Sequence, residues 1–263
     1  MTKHLPVLEH APWSPSKAAL AAKCALAFKF QYVDKVKVEK GSSVSRVGVA
    51  VHRAQELLFL NYKVDDAIAL SIQEAKTLTV KEEETVKTFA QAMSDFYNRI
   101  TVFGKTHAVT NQLTEQKWAV TAEFTPCEFD SEEAMIRGVV DMGLLVNDDR
   151  LIVIDHKSGR VKPLSEYGVQ LDVYTIMGQA HYPQIKSTQC AIHFVAESKL
   201  TWSKPKNAEH IVNVLRPWLL NYLTSRAEDA TTEAPRVGRH CNWCEYRRLC
   251  SAWNSENNDS TRK

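Results

Sequence analysis

The hydrophobic pattern of this chain changes period near His107, after which strand and helix signals mix, and that change points to an α/β architecture. Over the first 105 residues the apolar positions recur at helical spacing. Ser14-Pro15-Ser16 reads as a capped helix start, followed by alanines and leucines up to about Phe30. Further helices are expected over about 44–62, 65–78 and 81–103. The last carries Val86, Phe89, Ala90, Met93, Phe96 and Tyr97 on one face. After His107 the pattern becomes that of strands, at 113–120, 135–146 and 151–155, with a turn at Asn147-Asp148-Asp149. A loop at 159–163, a helix over about 165–179, strands at 189–196 and 199–203, and an amphipathic helix over 208–226, with Pro217 as a possible kink, complete the reading. No internal repeat or low-complexity tract interrupts it. A helical N-terminal half thus precedes a mixed sheet flanked by helices.

Composition narrows the class further. With 44% hydrophobic and 24% charged residues in 263, the chain can fill a sizeable core and is not disordered. The net charge of +2 marks no particular partner, but its distribution is uneven. Residues 1–60 hold nine Lys or Arg against four Asp or Glu, which fits either a phosphate-facing surface or a solvated face. The N-terminus is too polar for a signal peptide and no run approaches a membrane span. The expected location is therefore the cytoplasm of a bacterial, archaeal or phage-infected cell. In that reducing setting, clustered cysteines are read as metal ligands.

The densest chemistry lies in Gly138-Val-Val-Asp141 and in Ile152-Val-Ile-Asp155-His156-Lys157-Ser158-Gly159. Asp155 and Lys157, two apart on a strand, share a face. A hairpin would bring Asp141 beside Asp155, and two converging carboxylates suit Mg²⁺ or Mn²⁺. Lys157 would then assist an attacking water or neutralise a phosphate, the equipment of metal-assisted phosphodiester hydrolysis. By themselves these residues leave open a surface hairpin with a solvated Asp–Lys pair. Glu115, on the preceding strand, is a weaker candidate for the acidic site.

Four motifs in order resemble the PD-(D/E)XK nuclease superfamily, in particular its RecB-like branch, which includes the CRISPR-associated RecB-like exonucleases. They are Gly48-x-x-x-His52, Gly138-x-x-Asp141, Asp155-His156-Lys157 and Gln170-x-x-x-Tyr174. The resemblance implies a restriction-endonuclease-like fold and a set of roles. His52, Asp141, Asp155 and the backbone carbonyl of His156 would be metal ligands, and Lys157 would serve the nucleophile. Gln170 and Tyr174, one helical turn apart, would hold the DNA backbone or buttress Lys157. Taken alone, His52 reads rather as a helix-surface or satisfied core histidine, and Gln170 and Tyr174 as ordinary packing on the sheet.

Cys241-x2-Cys244-x5-Cys250 needs a metal to offset three neighbouring thiolates, and Cys24 is the natural fourth ligand. RecB-like nucleases of the iron–sulfur type resemble this arrangement, which implies a [4Fe-4S] cluster on Cys24, Cys241, Cys244 and Cys250. Ala25 stands where that type often has Pro. A zinc site using Cys24 or His240 is the rival reading. Cys190 reads as a buried strand residue and Cys127 as a loop residue. Linking Cys24 to Cys241 closes nearly the whole chain, which on a loop-entropy model stabilises by about 5 kcal/mol. Around this patch Arg236, Arg239, Arg247 and Arg248 oppose only Glu245, and Trp243 and Tyr246 are interleaved, a composition suited to a single strand of nucleic acid or simply to solvent.

The expected organisation is one domain over 1–257. A helical segment covers 1–105, a nuclease core 106–230 and an iron–sulfur patch 231–257, followed by a disordered tail at 258–263. The expected function is a Mg²⁺- or Mn²⁺-dependent deoxyribonuclease acting on single strands or free ends, with a helicase or recombination protein as a possible partner. The competing expectation is a DNA-binding recombination or repair accessory subunit with little or no nuclease activity.

Overall fold

The computed structural model describes residues 6–38, 43–75 and 77–253; the tail expected at 258–263 lies outside them. The helices are α1 (Pro6–Glu9), α2 (Pro15–Lys23), α3 (Ala25–Phe28), α4 (Ser43–Phe59), α5 (Val64–Ala75), α6 (Val80–Thr106), α7 (Gly168–His181), α8 (Ala208–His210) and α9 (Arg216–Thr231). The strands are β1 (Val109–Val120), β2 (Ile136–Val146), β3 (Arg150–Lys157), β4 (Ser187–Phe194), β5 (Lys199–Trp202) and β6 (Lys206–Asn207). They form one mixed sheet in the order β1-β2-β3-β4-β5, with β6 paired to β4. The pairs β1–β2, β2–β3 and β4–β5 are antiparallel. β3 and β4 are parallel, and α7 makes the crossover that parallel neighbours require.

The sheet lies between two helical layers. Met142, Leu144, Val146, Ile152, Ile154 and Ala191 meet α4, α5 and α6 on one face. Trp118, Leu151, Val153, Ile192 and Phe194 meet α2, α7 and α9 on the other. Local chemistry explains the long helices. Thr79 and Glu82 form a reciprocal capping box that starts α6. Every residue expected on the buried face of α6 is buried except Tyr97, which is half-buried. Ser14 caps α2 by accepting from the Lys17 N–H at 3.2 Å.

Two helical readings need correction. The first helix does not run unbroken to Phe30. It stops at Cys24, which is extended (φ −164°, ψ 115°), and restarts at Ala25. The Ala-rich flanks hide the break, which turns the thiol of Cys24 toward the C-terminal segment. The helix expected over 208–226 is divided: α8 ends at His210, a wide π-helical turn spans Ile211–Leu215, and α9 starts at Arg216 with Pro217 in its first turn, where the missing backbone donor is tolerated.

The α6 face of the sheet also buries a histidine pair. His156 on β3 and His193 on β4 are adjacent in the parallel register, and their Nδ1 atoms lie 2.9 Å apart. One ring must donate and the other accept, so the accepting ring is neutral. Phe96 stacks on His193 at 4.2 Å. Burial drives both pKa values down, His193 to about 4. A histidine whose folded pKa is depressed costs stability as pH falls below its unfolded value, down to its folded one. Replacing His193 by Asn is expected to flatten the loss of stability between about pH 6.5 and pH 4 by about 1.4 kcal/mol per pH unit, one proton's worth. Urea unfolding at several pH values checks this; parallel slopes for the two proteins would refute it.

Candidate active site and cysteine cavity

The β2–β3 hairpin places two carboxylates just past its last paired rung. Met142 pairs with Ile154, and the next step along each strand is Asp141 and Asp155. Strand parity switches here. Ile136 and Val140 of β2 face the α7 layer, as does Leu145, whereas Met142, Leu144 and Val146 face α4–α6. β1 switches at the same level, between Leu113 and Trp118. There Glu115, flanked by the Thr114–Met142 and Gln116–Val140 pairs, adopts φ 48°, a strained value for a residue with a side chain. The distortion interrupts regular pairing where Asp141 enters the site.

Asp155 is 2% exposed and Asp141 9%. The His156 N–H donates to Asp141 Oδ2 at 2.7 Å. Lys157 Nζ pairs with Asp155 Oδ2 at 2.7 Å and lies 5.8 Å from the centroid of the Tyr167 ring. The Gln170 amide donates to Asp155 Oδ1 at 2.6 Å and to the Tyr174 hydroxyl oxygen at 3.0 Å. Tyr174 in turn donates to the Val139 carbonyl at 3.0 Å. Gln170 and Tyr174 therefore meet Asp155; the expectation that they buttress Lys157 is corrected to that extent. Gly138 makes the arrangement possible, since a Cβ there would lie 3.3 Å from the Tyr174 ring and 3.1 Å from Met177.

Charge in this pocket is poorly tolerated. Burial raises the pKa of Asp141, and the Asp155 carboxylate raises it further, against the opposing His156 N–H. Burial also raises Asp155, with Lys157 opposing. Burial lifts the Tyr174 hydroxyl as well, helped by Asp155. Glu115 is half-buried and raised by burial and by Glu56, and its charge adds to the burden on Asp141. His52, on α4, is exposed. Its pKa is nonetheless lowered by desolvation, with Asp155 opposing, so it stands within electrostatic reach of the site without a direct hydrogen bond among the described residues. Gly48, one turn earlier, has open space where a Cβ would sit. The His156 ring points to the opposite face of the sheet, which leaves only its main chain near the carboxylates. Neither Tyr167 nor Tyr97 carries a sequence signal for this site; the hydroxyl of Tyr97 is raised by burial and by the charge of Asp141.

A divalent cation would reverse the repulsion between Asp141 and Asp155, so this donor set suits a hard ion. Among the described residues, no group of three or more His, Cys, Asp or Glu side chains stands close enough to hold an ion without adjustment; Lys157 pairs with one of the two carboxylates.

The cysteines gather elsewhere. Cys24, Cys241, Cys244 and Cys250 line one cavity with Leu26, Phe30 and Tyr246. The Arg236 N–H points to Cys24 Sγ at 3.5 Å and the Gly238 N–H to Cys241 Sγ at 3.4 Å. Burial raises the Cys244 thiol, and the other three thiols raise it further. N–H donors aimed at mutually repelling sulfurs fit a thiolate-ligated metal group. Tyr246 is buried against Phe30, 5.5 Å between centroids, so it is not part of an exposed aromatic surface. Cys190 is fully buried, its thiol pushed up to about 12. Cys127 lies outside the regular elements.

The family model of the PD-(D/E)XK nuclease superfamily matches residues 12–251. The chain belongs to that superfamily, which makes it a metal-dependent nuclease by class, with DNA as the implied substrate. No curated protein matches the sequence. A solved structure of the protein SSO0001 is similar at 15% identity, covering 87% of this chain and 95% of its own, with a TM-score of 0.35. Among the described residues no helix is long and apolar enough to cross a membrane.

Asp141 has a raised folded pKa, so it costs stability as pH climbs from the unfolded carboxylate value to the folded one. In metal-free protein near about pH 8, Asp141→Asn is expected to raise the melting temperature by roughly 3–6 °C, as about 1.5 kcal/mol would in a chain of this size. The gain should shrink near about pH 5, where the wild-type group is protonated. A variant that melts below wild type near pH 8 would contradict the repulsion.

Proposed function

We propose that the chain is a RecB-like deoxyribonuclease that hydrolyses single-stranded DNA from free ends with Mg²⁺ or Mn²⁺, braced by a [4Fe-4S] cluster. The observation that carries the hydrolytic reading is the pairing of two buried carboxylates with Lys157 at the end of the β2–β3 hairpin. Asp141, Asp155, the His156 carbonyl and His52 would hold the divalent ion, which supplies Lewis acidity to a phosphodiester and its attacking water. Lys157 presents an ammonium fixed by Asp155, able to orient that water or neutralise phosphate charge. Gln170 and Tyr174 are positioning residues. They fix the Asp155 carboxylate through Oδ1 and tie it to the main chain of β2 at Val139. One domain spanning 1–257 would carry both the hydrolytic and the cysteine sites.

End-labelled single- and double-stranded DNA incubated with Mg²⁺ or Mn²⁺ tests this directly. Asp155→Ala and Lys157→Ala are each expected to lower cleavage by roughly 10²–10⁴-fold while DNA binding persists. Wild-type protein that binds DNA and never cuts it would establish the accessory-subunit reading instead. A circular single strand cut as fast as a linear one would remove the dependence on ends.

The cluster rests on the four thiols that share one cavity and on the N–H groups directed at two of them. Protein purified without oxygen is expected to be brown, and Cys24→Ser to lose the colour and much of its thermal stability. Colourless wild-type protein holding zinc would replace the cluster with a zinc site.

A further inference from the structure

Among the described residues Trp243 is the most exposed tryptophan, at 80% against 43% for Trp202, 0% for Trp13 and 2% for Trp118. Trp218, partly exposed, stacks on Tyr222 at 5.5 Å. The Trp253 ring lies beneath the Arg247 guanidinium at 5.2 Å. Among the described residues, Trp243 has no hydrogen-bond or ring partner. Burying an indole ordinarily contributes about 2–3 kcal/mol, which this conformation forgoes.

The backbone beneath the ring is nevertheless firmly held. Trp243 ends the 3₁₀ turn Arg239–Trp243. The Cys241 N–H donates to the Gly238 carbonyl at 2.9 Å and the Cys244 N–H to the Cys241 carbonyl at 3.2 Å. The Arg247 guanidinium donates to the Asn242 carbonyl at 3.3 Å, one residue before the tryptophan. A rigid turn thus presents a large ring to solvent with little conformational freedom left to lose.

Its surroundings are cationic. Arg239 lies on the same turn, exposed and without a bonded partner among the described residues. Arg247 is anchored to the Asn242 carbonyl, next to Trp243 in the chain, with its guanidinium over the Trp253 ring, and Arg248 follows it. Glu245 is the only acid between 236 and 250. Arg236 is not available to this surface, since it is engaged with Ala22 and Asp229. Phosphates complement such a rim, and an indole face complements a base. A purely apolar protein partner would leave the Arg239 guanidinium desolvated and unpaired.

We propose that Trp243 is a stacking platform for one base of single-stranded DNA, with Arg239 and Arg247 beside the flanking phosphates. The inference rests on the nuclease reading above and deepens it, because a paired and stacked duplex offers no free base face to this ring. Trp243 would contact substrate away from the carboxylates and set the preference for single strands.

The test uses the full chain carrying Asp155→Ala, so that DNA is bound and not cut, with a short fluorescein-labelled oligonucleotide followed by anisotropy. Adding Trp243→Ala or Trp243→Leu is expected to weaken single-strand binding about tenfold or more. Trp243→Phe should lose no more than about threefold, and duplex binding should stay within about twofold in all three, since stacking is absent there. Unchanged single-strand affinity in the Ala variant overturns the proposal. An equal loss on single strand and duplex assigns the effect to charge or structure and also overturns it, as does a melting temperature lowered by several degrees. Wild-type cleavage is scored in parallel. Cleavage together with unaltered Trp243→Ala binding removes this inference alone, whereas wild-type protein that neither cuts nor binds DNA removes the nuclease reading with it.

Discussion

Two carboxylates sharing a desolvated pocket set the terms for everything around them. Asp141 and Asp155 stand where the β2–β3 hairpin stops pairing, and burial and mutual repulsion both oppose their ionisation. Each neighbour meets that cost in its own way. Lys157 supplies a counter-charge, Gln170 and Tyr174 supply donors, and the His156 N–H supplies a fixed dipole. With the two carboxylates these groups come from three elements, so β2, β3 and α7 must be in register before the pocket exists. The parity switch shared by β1 and β2 belongs to the same arrangement. Without it Asp141 would follow its strand's alternation and the rung would close.

The site draws its precision from the layer behind it. α7 crosses so close to the sheet that a Cβ at Gly178 would meet Leu151 at 2.4 Å. Gly138 lets the Tyr174 ring approach β2 closely. On the other face, the His156–His193 pair and Phe96 fill the space directly behind β3. β3 is thus gripped on both sides, which suits a strand that must hold two functional side chains in fixed positions.

Much of this architecture was legible in the sequence because its signals are local. The apolar face of α6, the cap at Ser14 and the hairpin turn after Val146 can all be read from a few neighbouring residues. The four motifs located the carboxylates, the lysine and the Gln–Tyr pair, and the structure brings all of these together. What escaped depends on partners distant in the chain. The adjacency of His156 and His193 arises only through the α7 crossover. The burial of Tyr246 needs Phe30, and the break at Cys24 lies inside an Ala-rich stretch with no breaker residue. The exposed start of β1, where Thr110, Asn111 and Gln112 face solvent, shows none of the apolar alternation that marks a strand. Glu115 reads as an ordinary strand glutamate until its backbone conformation is seen.

The extended backbone at Cys24 links early and late segments of the chain. Around it, Arg236 bonds Ala22, Lys29 pairs with Glu233, and Phe30 packs on Tyr246. Each of these contacts joins residues separated by most of the polypeptide, and such contacts form late because the intervening chain must first be ordered. Until residues 233–246 have been synthesised, the side of α2 and α3 that meets them has no partner to pack against.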